Sequence, residues 1–294
     1  MTDAAPAPTL LTAWKAAAAR LKEGRIDSPS IDARLLLEVA AGCSRTDILT
    51  YPYRAVSADQ QAALDGYVER RLRREPVSRI LGRKGFWKIM LNVSRDVLTP
   101  RPDTETVVEV ALAAFPETMS FNVLDLGVGS GAILLAILAE RPAARGLGVD
   151  ISDEALAVAR ENAANLDLNT RCALLRGDWT AGLADANFDL VVANPPYIPS
   201  ADIETLEPEV RDHEPRMALD GGADGLDAYR LLAPEILRVL KPGGVFAVEI
   251  GHDQAGAVEA LFRDAGALNV QTVRDLGDRD RVVTGLKNSL DIDV

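Results

Sequence analysis

Residues 122–140 read NVLDLGVGSGAILLAILAE. Residues 122–126 are a short apolar run around Asp125, which predicts a buried strand. Gly127, Val128, Gly129, Ser130 and Gly131 follow at once, and residues 132–140 are rich in Ala and Leu until Pro142. The order is strand, glycine-rich turn and helix amino terminus, where glycines let the backbone approach a ligand closely. A second strand over residues 146–149 ends in Asp150, placed to accept the two hydroxyls of a ribose. The spacing is G-x-G-x-G rather than the dinucleotide G-x-G-x-x-G. Taken alone, the turn therefore reads either as a nucleotide-type site or as a tight strand–helix junction.

The stretch that decides between them is residues 188–197, FDLVVANPPY. Residues 188–193 are an apolar run with paired valines and predict a parallel strand buried on both faces. Pro195 biases Asn194 away from the α region, and two consecutive prolines stiffen the chain as it leaves the sheet. An amide side chain, a backbone carbonyl and a phenol are thus presented at the carboxyl end of a strand, where open α/β sheets bind ligands. The plainer alternative is a proline-rich turn whose tyrosine packs on the core.

The chemistry this loop suits is methylation of an amide or amino nitrogen. A planar NH2 group is a poor nucleophile because its lone pair is delocalised. The Asn194 side-chain oxygen and the Pro195 carbonyl offer two fixed acceptors for its N–H groups, favouring the positive charge that builds on nitrogen during attack. Pro196 and Tyr197 complete the substrate loop, with Tyr197 expected to pack on the planar group and hold it in line. Joined to the glycine turn and Asp150, the loop points to S-adenosylmethionine (SAM) as methyl donor.

These motifs resemble the HemK/PrmC family of protein-(glutamine-N5) methyltransferases. The resemblance runs from about Pro76 to Gly285. It takes in Arg101 to Glu105, Asp125 to Gly131, Asp150, Gly177-Asp178-Trp179, Asn194 to Ile198, Glu214-Pro215, Gly221-Gly222 and Glu249-Ile250-Gly251. Departures are Asp103 where the family usually has Glu, Val128 where Thr is common, and Ser78-Arg79 where Gln-Tyr is common. The resemblance implies a Rossmann-like class I SAM-dependent methyltransferase sheet preceded by a small helical bundle. It implies methylation of the glutamine in the Gly-Gly-Gln motif of class I peptide chain release factors in the cytoplasm. It also implies SAM contacts from Gly127, Val128, Gly129, Ser130, Gly131, Asp150, Asp178, Trp179 and Asn194, with Trp179 against the adenine. Residues 101–105 are placed beside the active site.

The rest of the chain fits this frame. From Leu10 the pattern is helical, with Leu10, Leu11, Trp14, Ala17, Ala18 and Leu21 recurring on one face. Ser28-Pro29 is expected to open a second helix that Gly42 closes, and residues 47–51 make a short helical piece. Ser57 and Gln60 have capping-box spacing for a fourth helix burying Leu64, Tyr67, Val68 and Leu72, stopped by Pro76. The expected domains are residues 1–75 (helical, substrate docking), 76–105 (β-hairpin linker) and 106–294 (methyltransferase). Seven basic residues between Arg70 and Lys84 read as a solvated helix face or as a contact for an acidic partner or RNA. Residues 198–225 form a long polar segment, expected to make a lid over the glutamine. A helix over residues 226–240, bent or restarted at Pro234, a turn at residues 241–244 and a strand over residues 245–250 should follow.

Composition narrows the alternatives. A net charge of −12 is the wrong sign for gripping many phosphates, which argues against direct nucleic-acid binding. It also weighs against a nucleic-acid amino-group (adenine-N6 or guanine-N2) methyltransferase, which would use the same loop. A nicotinamide-binding oxidoreductase would leave Asn194 to Tyr197 idle, and a non-catalytic protein would be expected to have lost part of one set. Cys43 and Cys172 lie far apart, and His213 and His252 form no cluster, so no metal site is expected. No run is long enough to span a membrane, and residues 1–8 read as a disordered lead rather than a secretory signal.

Overall fold

The computed structural model describes residues 7–289, so residues 1–6 of the expected lead lie outside the described residues. Pro8 is already tied in, its carbonyl accepting from Val56 N at 2.8 Å. The chain divides into two compact units, Met1–Gly82 and Arg83–Val294.

The first unit holds α1 (Leu10–Glu23), α2 (Pro29–Ala40), α3 (Arg45–Thr50), α4 (Ala58–Leu72) and α5 (Val77–Leu81). Ser57 and Gln60 form the expected capping box on α4, and Ser44 with Asp47 forms another on α3. Ser28 stands at the N-cap of α2 but makes no side-chain capping bond, leaving Pro29 as the start signal. Leu10, Ala13, Ala17 and Leu21 make the buried stripe of α1, packing with Leu36, Leu37, Leu64, Val68 and Ile80 in one core. Burial of Ile80 assigns α5 to this unit, so the boundary falls after Gly82 rather than at residue 75. Pro76 starts a helix as well as stopping one. Gly82 ends α5 at φ +68°, a left-handed cap that glycine adopts without strain. Much of the basic stretch is structural. Arg71 is buried and donates to Asp32 at 2.8 Å, Arg70 pairs with Glu75, and Arg79 is buried.

The second unit opens with an antiparallel hairpin, β1 (Arg83–Phe86) and β2 (Ile89–Asn92), whose turn is Trp87-Lys88. It continues α6 (Glu105–Ala114), β3 (Asn122–Leu126), α7 (Ala132–Glu140), β4 (Arg145–Asp150), α8 (Asp153–Asn165), β5 (Cys172–Arg176) and β6 (Phe188–Ala193). Then come α9 (Pro208–Arg211), α10 (Asp227–Val239), β7 (Leu240–Glu249), α11 (Ala255–Asp264), β8 (Leu268–Arg274) and β9 (Asp280–Leu286). The seven-stranded sheet has the order β5-β4-β3-β6-β7-β9-β8, parallel from β5 to β7, with β9 antiparallel to both its neighbours.

Period-two alternation sorts each central strand onto two cores. Val123, Leu190 and Val192 face one cluster with α6, α7 and α8, while Leu124, Leu126, Val191 and Ala193 face another with α10 and α11. Both faces of β6 are therefore covered, which is why FDLVVA carries hardly a polar residue. α10 runs through Pro234 as one helix, and the Lys241–Gly244 turn lies inside β7 as an irregularity opposite Phe188 and Leu190.

Candidate active site

β3 lies between β4 and β6, with Leu126 opposite Val149 on one side and Ala193 on the other. Gly127, Asp150 and Asn194 thus stand side by side at the carboxyl ends of these strands, where the strand order reverses. That switch point is where doubly wound sheets bind ligands.

On the β3–β4 side the site is made of backbone. Gly127, Gly129 and Gly131 have φ of +74°, +52° and +84°, a conformation that strains other residues, and a Cβ on Gly131 would stand 2.9 Å from Leu135 Cδ1. The turn is pinned from three directions. Gly127 N and Val128 N donate to Val149 O (2.9 and 3.0 Å), and Gly129 N donates to Asp150 Oδ2 at 2.9 Å. Buried Asn162 of α8 donates to Ser130 O (2.9 Å) and to Asn92 O (3.0 Å), joining turn and hairpin. Ser152 N donates to the other Asp150 oxygen at 3.0 Å, and Ser152 caps α8 through Ala155 N. Asp125 is buried beneath the turn, one oxygen accepting from Leu134 N at 3.2 Å. Burial pushes its carboxyl up to about 7.

Trp179 has φ +51°, unusual for a bulky residue and a recurrent mark of functional positions. Its indole lies 3.5 Å from where a Gly127 Cβ would be. Trp179, exposed Asp178, Gly127, Val128, Gly129, Ser130 and Asp150 line one cavity of about 360 Å³, within the size range of small-molecule sites. Asn194 and Pro196 line the same cavity, as do Arg101 and Thr104. Gly131, Pro195 and Tyr197 are not among its lining residues.

On the β6 side the site is made of side chains from distant elements. Asn194 Nδ2 donates to buried Thr104 Oγ1 at 3.3 Å. Tyr197, partly buried, packs against the core that α10 and α11 share, near the Glu249 carboxylate. Burial and the nearby Glu249 carboxylate raise the Tyr197 phenol well above its ordinary pKa. Gln254 fixes the loop backbone, its Nε2 donating to Tyr197 O (2.9 Å) and Gly225 O (3.2 Å) while its Oε1 accepts from Gly251 N (2.9 Å). Arg281 is buried nearby, with Asp275 at 3.2 Å and Asp103 at 3.4 Å. The sequence flagged neither Gln254 nor Asn162. The one available signal was a lone amide on an otherwise apolar helical face or just after a strand.

Residues 198–225 are more ordered than their composition predicts. They contain α9 and two 3-10 turns, and fold back so that Ile198 N donates to Leu219 O and Gly221 N to Ile198 O (3.0 and 2.8 Å). A Cβ on Gly221 would meet Pro196 O at 2.9 Å, which explains the glycine where this segment rides on the loop. Buried Glu214 accepts from Thr99 N at 3.1 Å and Arg101 Nη2 at 3.2 Å, and Met217 and Ala218 form cavity wall. Among the described residues, no group of His, Cys, Asp or Glu is placed to hold a metal ion, and no helix is long and apolar enough to cross a membrane.

Residues 12–82 match the family described as PrmC N-terminal domain, and residues 118–275 the family described as methyltransferase domain. The chain is 71% identical to a release factor glutamine methyltransferase of Caulobacter vibrioides, over 96% of this chain and 98% of that protein. It is 49% identical to a release factor glutamine methyltransferase of Rhodospirillum rubrum, over 89% of this chain and 80% of that protein. A solved methyltransferase from Pyrococcus furiosus shares the fold, with a TM-score of 0.50 at 16% identity over 67% of this chain and 88% of that one. The family resemblance and the doubly wound sheet read from the sequence both hold.

Proposed function

We propose that this chain, which belongs to the release factor glutamine methyltransferase family, methylates the side-chain amide nitrogen (N5) of the glutamine in the Gly-Gly-Gln motif of class I peptide chain release factors, in the cytoplasm. The observation that carries the reading is the pairing of Leu126 with Ala193, which makes the glycine turn and the Asn194 loop neighbours on one cavity.

The donor side suits SAM. Backbone N–H groups use one acceptor position on each Asp150 oxygen, and a carboxylate offers about four, so capacity remains for a ribose diol. Trp179 offers a flat apolar surface for adenine, with Asp178 at the rim, and Gly127, Val128, Gly129, Ser130 and Gly131 shape the turn beneath. When bound, SAM supplies an electrophilic methyl group on a sulfonium centre. The chain's part is to hold the nucleophile. Asn194 Oδ1 accepts one N–H of the glutamine amide, and the Pro195 carbonyl, between two cavity-wall residues, accepts the other. Both oppose the positive charge that develops on that nitrogen. Tyr197 acts from behind, holding the loop rather than the substrate. The carboxamide enters uncharged, so binding needs no strongly basic surface.

Among the described residues, the helical unit carries no cluster of this kind, and the reading gives it the docking of whole release factor. Incubation with methyl-labelled SAM and purified release factors, followed by peptide mass spectrometry, tests the main proposal. Label on the Gly-Gly-Gln glutamine is expected, and label elsewhere or none overturns it. Removing residues 1–82 should slow methylation of whole release factor at sub-saturating concentration while leaving SAM affinity unchanged. Equal turnover by the two forms removes the docking role.

A further inference from the structure

The cavity wall is acidic, with Asp96, Asp150, Asp178 and Asp220 among its residues, and Arg101 is the one Lys or Arg side chain that joins them. Arg101 is held from outside the cavity. Its Nη2 donates to Glu214 Oε1 at 3.2 Å, the one hydrogen bond its guanidinium makes among the described residues, and Glu214 Oε2 accepts from Thr99 N at 3.1 Å. The Glu214 side chain is 0% exposed and that of Arg101 43% exposed. One edge of the guanidinium is thus anchored on a buried carboxylate, and the rest of its planar donor fork stays open.

Arg101 also stands between the two ends of the proposed site. Residues 97–104 run along the cavity. Val97 packs with Ala155 in the first turn of α8, whose cap Ser152 donates its N–H to Asp150. Thr104, at the other end, accepts from Asn194 and donates its own N–H to Arg101 O at 3.2 Å. The cation is therefore one tight turn from the Asn194 contact, on the stretch that leads back toward the ribose carboxylate. We propose that Arg101, held by Glu214, receives the α-carboxylate of the methionine arm of SAM. The inference rests on the reading of this cavity as a SAM site.

The charge pattern of the wall matches that of the ligand. SAM carries a sulfonium, an ammonium and one carboxylate, so it is a net cation with a single anionic group. The carboxylates of the wall favour the two cationic groups, but they repel the carboxylate, which would be costly to desolvate unpaired. A guanidinium offers a carboxylate parallel N–H donors, and one that is already anchored loses little freedom on binding. Arg101 then selects for an adenosyl ligand that carries the amino-acid carboxylate.

The test is calorimetry with SAM and with decarboxylated SAM, which keeps the sulfonium and the amine and lacks only the carboxylate. Arg101→Gln should weaken SAM by on the order of 10- to 100-fold. It should leave decarboxylated SAM bound as tightly as by the wild type or more tightly, because a cation is removed from beside a dication. Arg101→Lys keeps the charge and loses the fork, so it should weaken SAM less, again without loss for decarboxylated SAM. It reads the same difference if Arg101→Gln does not fold. Asp150→Ala is the contrast: both ligands carry the ribose, so both should weaken by a similar factor. If the Arg101 variants weaken neither ligand, or both equally, this inference alone is overturned. Unchanged SAM affinity with a raised KM for release factor also overturns it and assigns Arg101 to the protein substrate. A wild-type protein that binds neither ligand overturns the SAM reading and this one with it.

Discussion

The two halves of the candidate site are built from different materials. The β3–β4 half is backbone: three glycines at positive φ, N–H groups aimed at Val149 and Asp150, and a carboxylate on the last residue of a strand. The β6 half is side chains brought from far apart: Thr104, Tyr197, Glu249, Gln254 and Arg281 surround a four-residue loop. Backbone sites tolerate changes in surrounding side chains but no added bulk. Side-chain sites fail when any one partner is removed, because the groups left behind are buried and unpaired.

That contrast can be broken by substitution. The largest effect belongs to Asn194→Ala, which should slow single-turnover methylation at saturating SAM by about 10²–10³-fold. Near-wild-type rate would make this loop a structural turn only. Asp150→Ala comes next, weakening SAM binding by ~1.5–3 kcal/mol in calorimetry through loss of charge-assisted hydrogen bonds. Its rate at saturating SAM should stay close to wild type, and an equally slow rate there would merge the two halves into one.

Gln254→Ala sharpens the comparison from outside the cavity. It strips two hydrogen bonds from the loop carbonyl side and one from Gly251 N, so urea unfolding should show a loss of about 1–3 kcal/mol. Unchanged stability would mean that the loop is held by Pro195 and Pro196 alone. Tyr197→Phe is the smallest change, at most about 1.5 kcal/mol because the ring and its packing are kept, with a rate much nearer wild type than that of Asn194→Ala. A Tyr197→Phe rate as low as that of Asn194→Ala would place its hydroxyl among the groups that meet substrate, against its inward position here.

Local patterns along the chain determined the sheet and the glycine turn. A strand, G-x-G-x-G and an apolar helix occupy consecutive residues, and positive φ at each glycine is a property of the residue itself, so 122–140 can be read without knowing what surrounds it. FDLVVA is legible for the same reason, since burial on both faces writes itself as an unbroken apolar run. The rest had no local signature. Ile80 looked like part of a linker until its burial in the helical core placed it, and the Arg70–Lys84 stretch looked like surface until Asp32 and Glu75 paired with it. Thr104 and Asn194 are 90 residues apart, and Gln254 and Tyr197 are 57. A hydrogen bond at that separation depends on which strands become neighbours, and the β6–β7–β9 order that joins these residues exists only once the sheet has closed around its two cores. The sequence by itself therefore determined the glycine turn, Asp150 and the Asn194 loop as the parts of the candidate site. Tertiary structure alone decided which way Asn194 and Tyr197 face, because their orientation belongs to partners that local pattern cannot see.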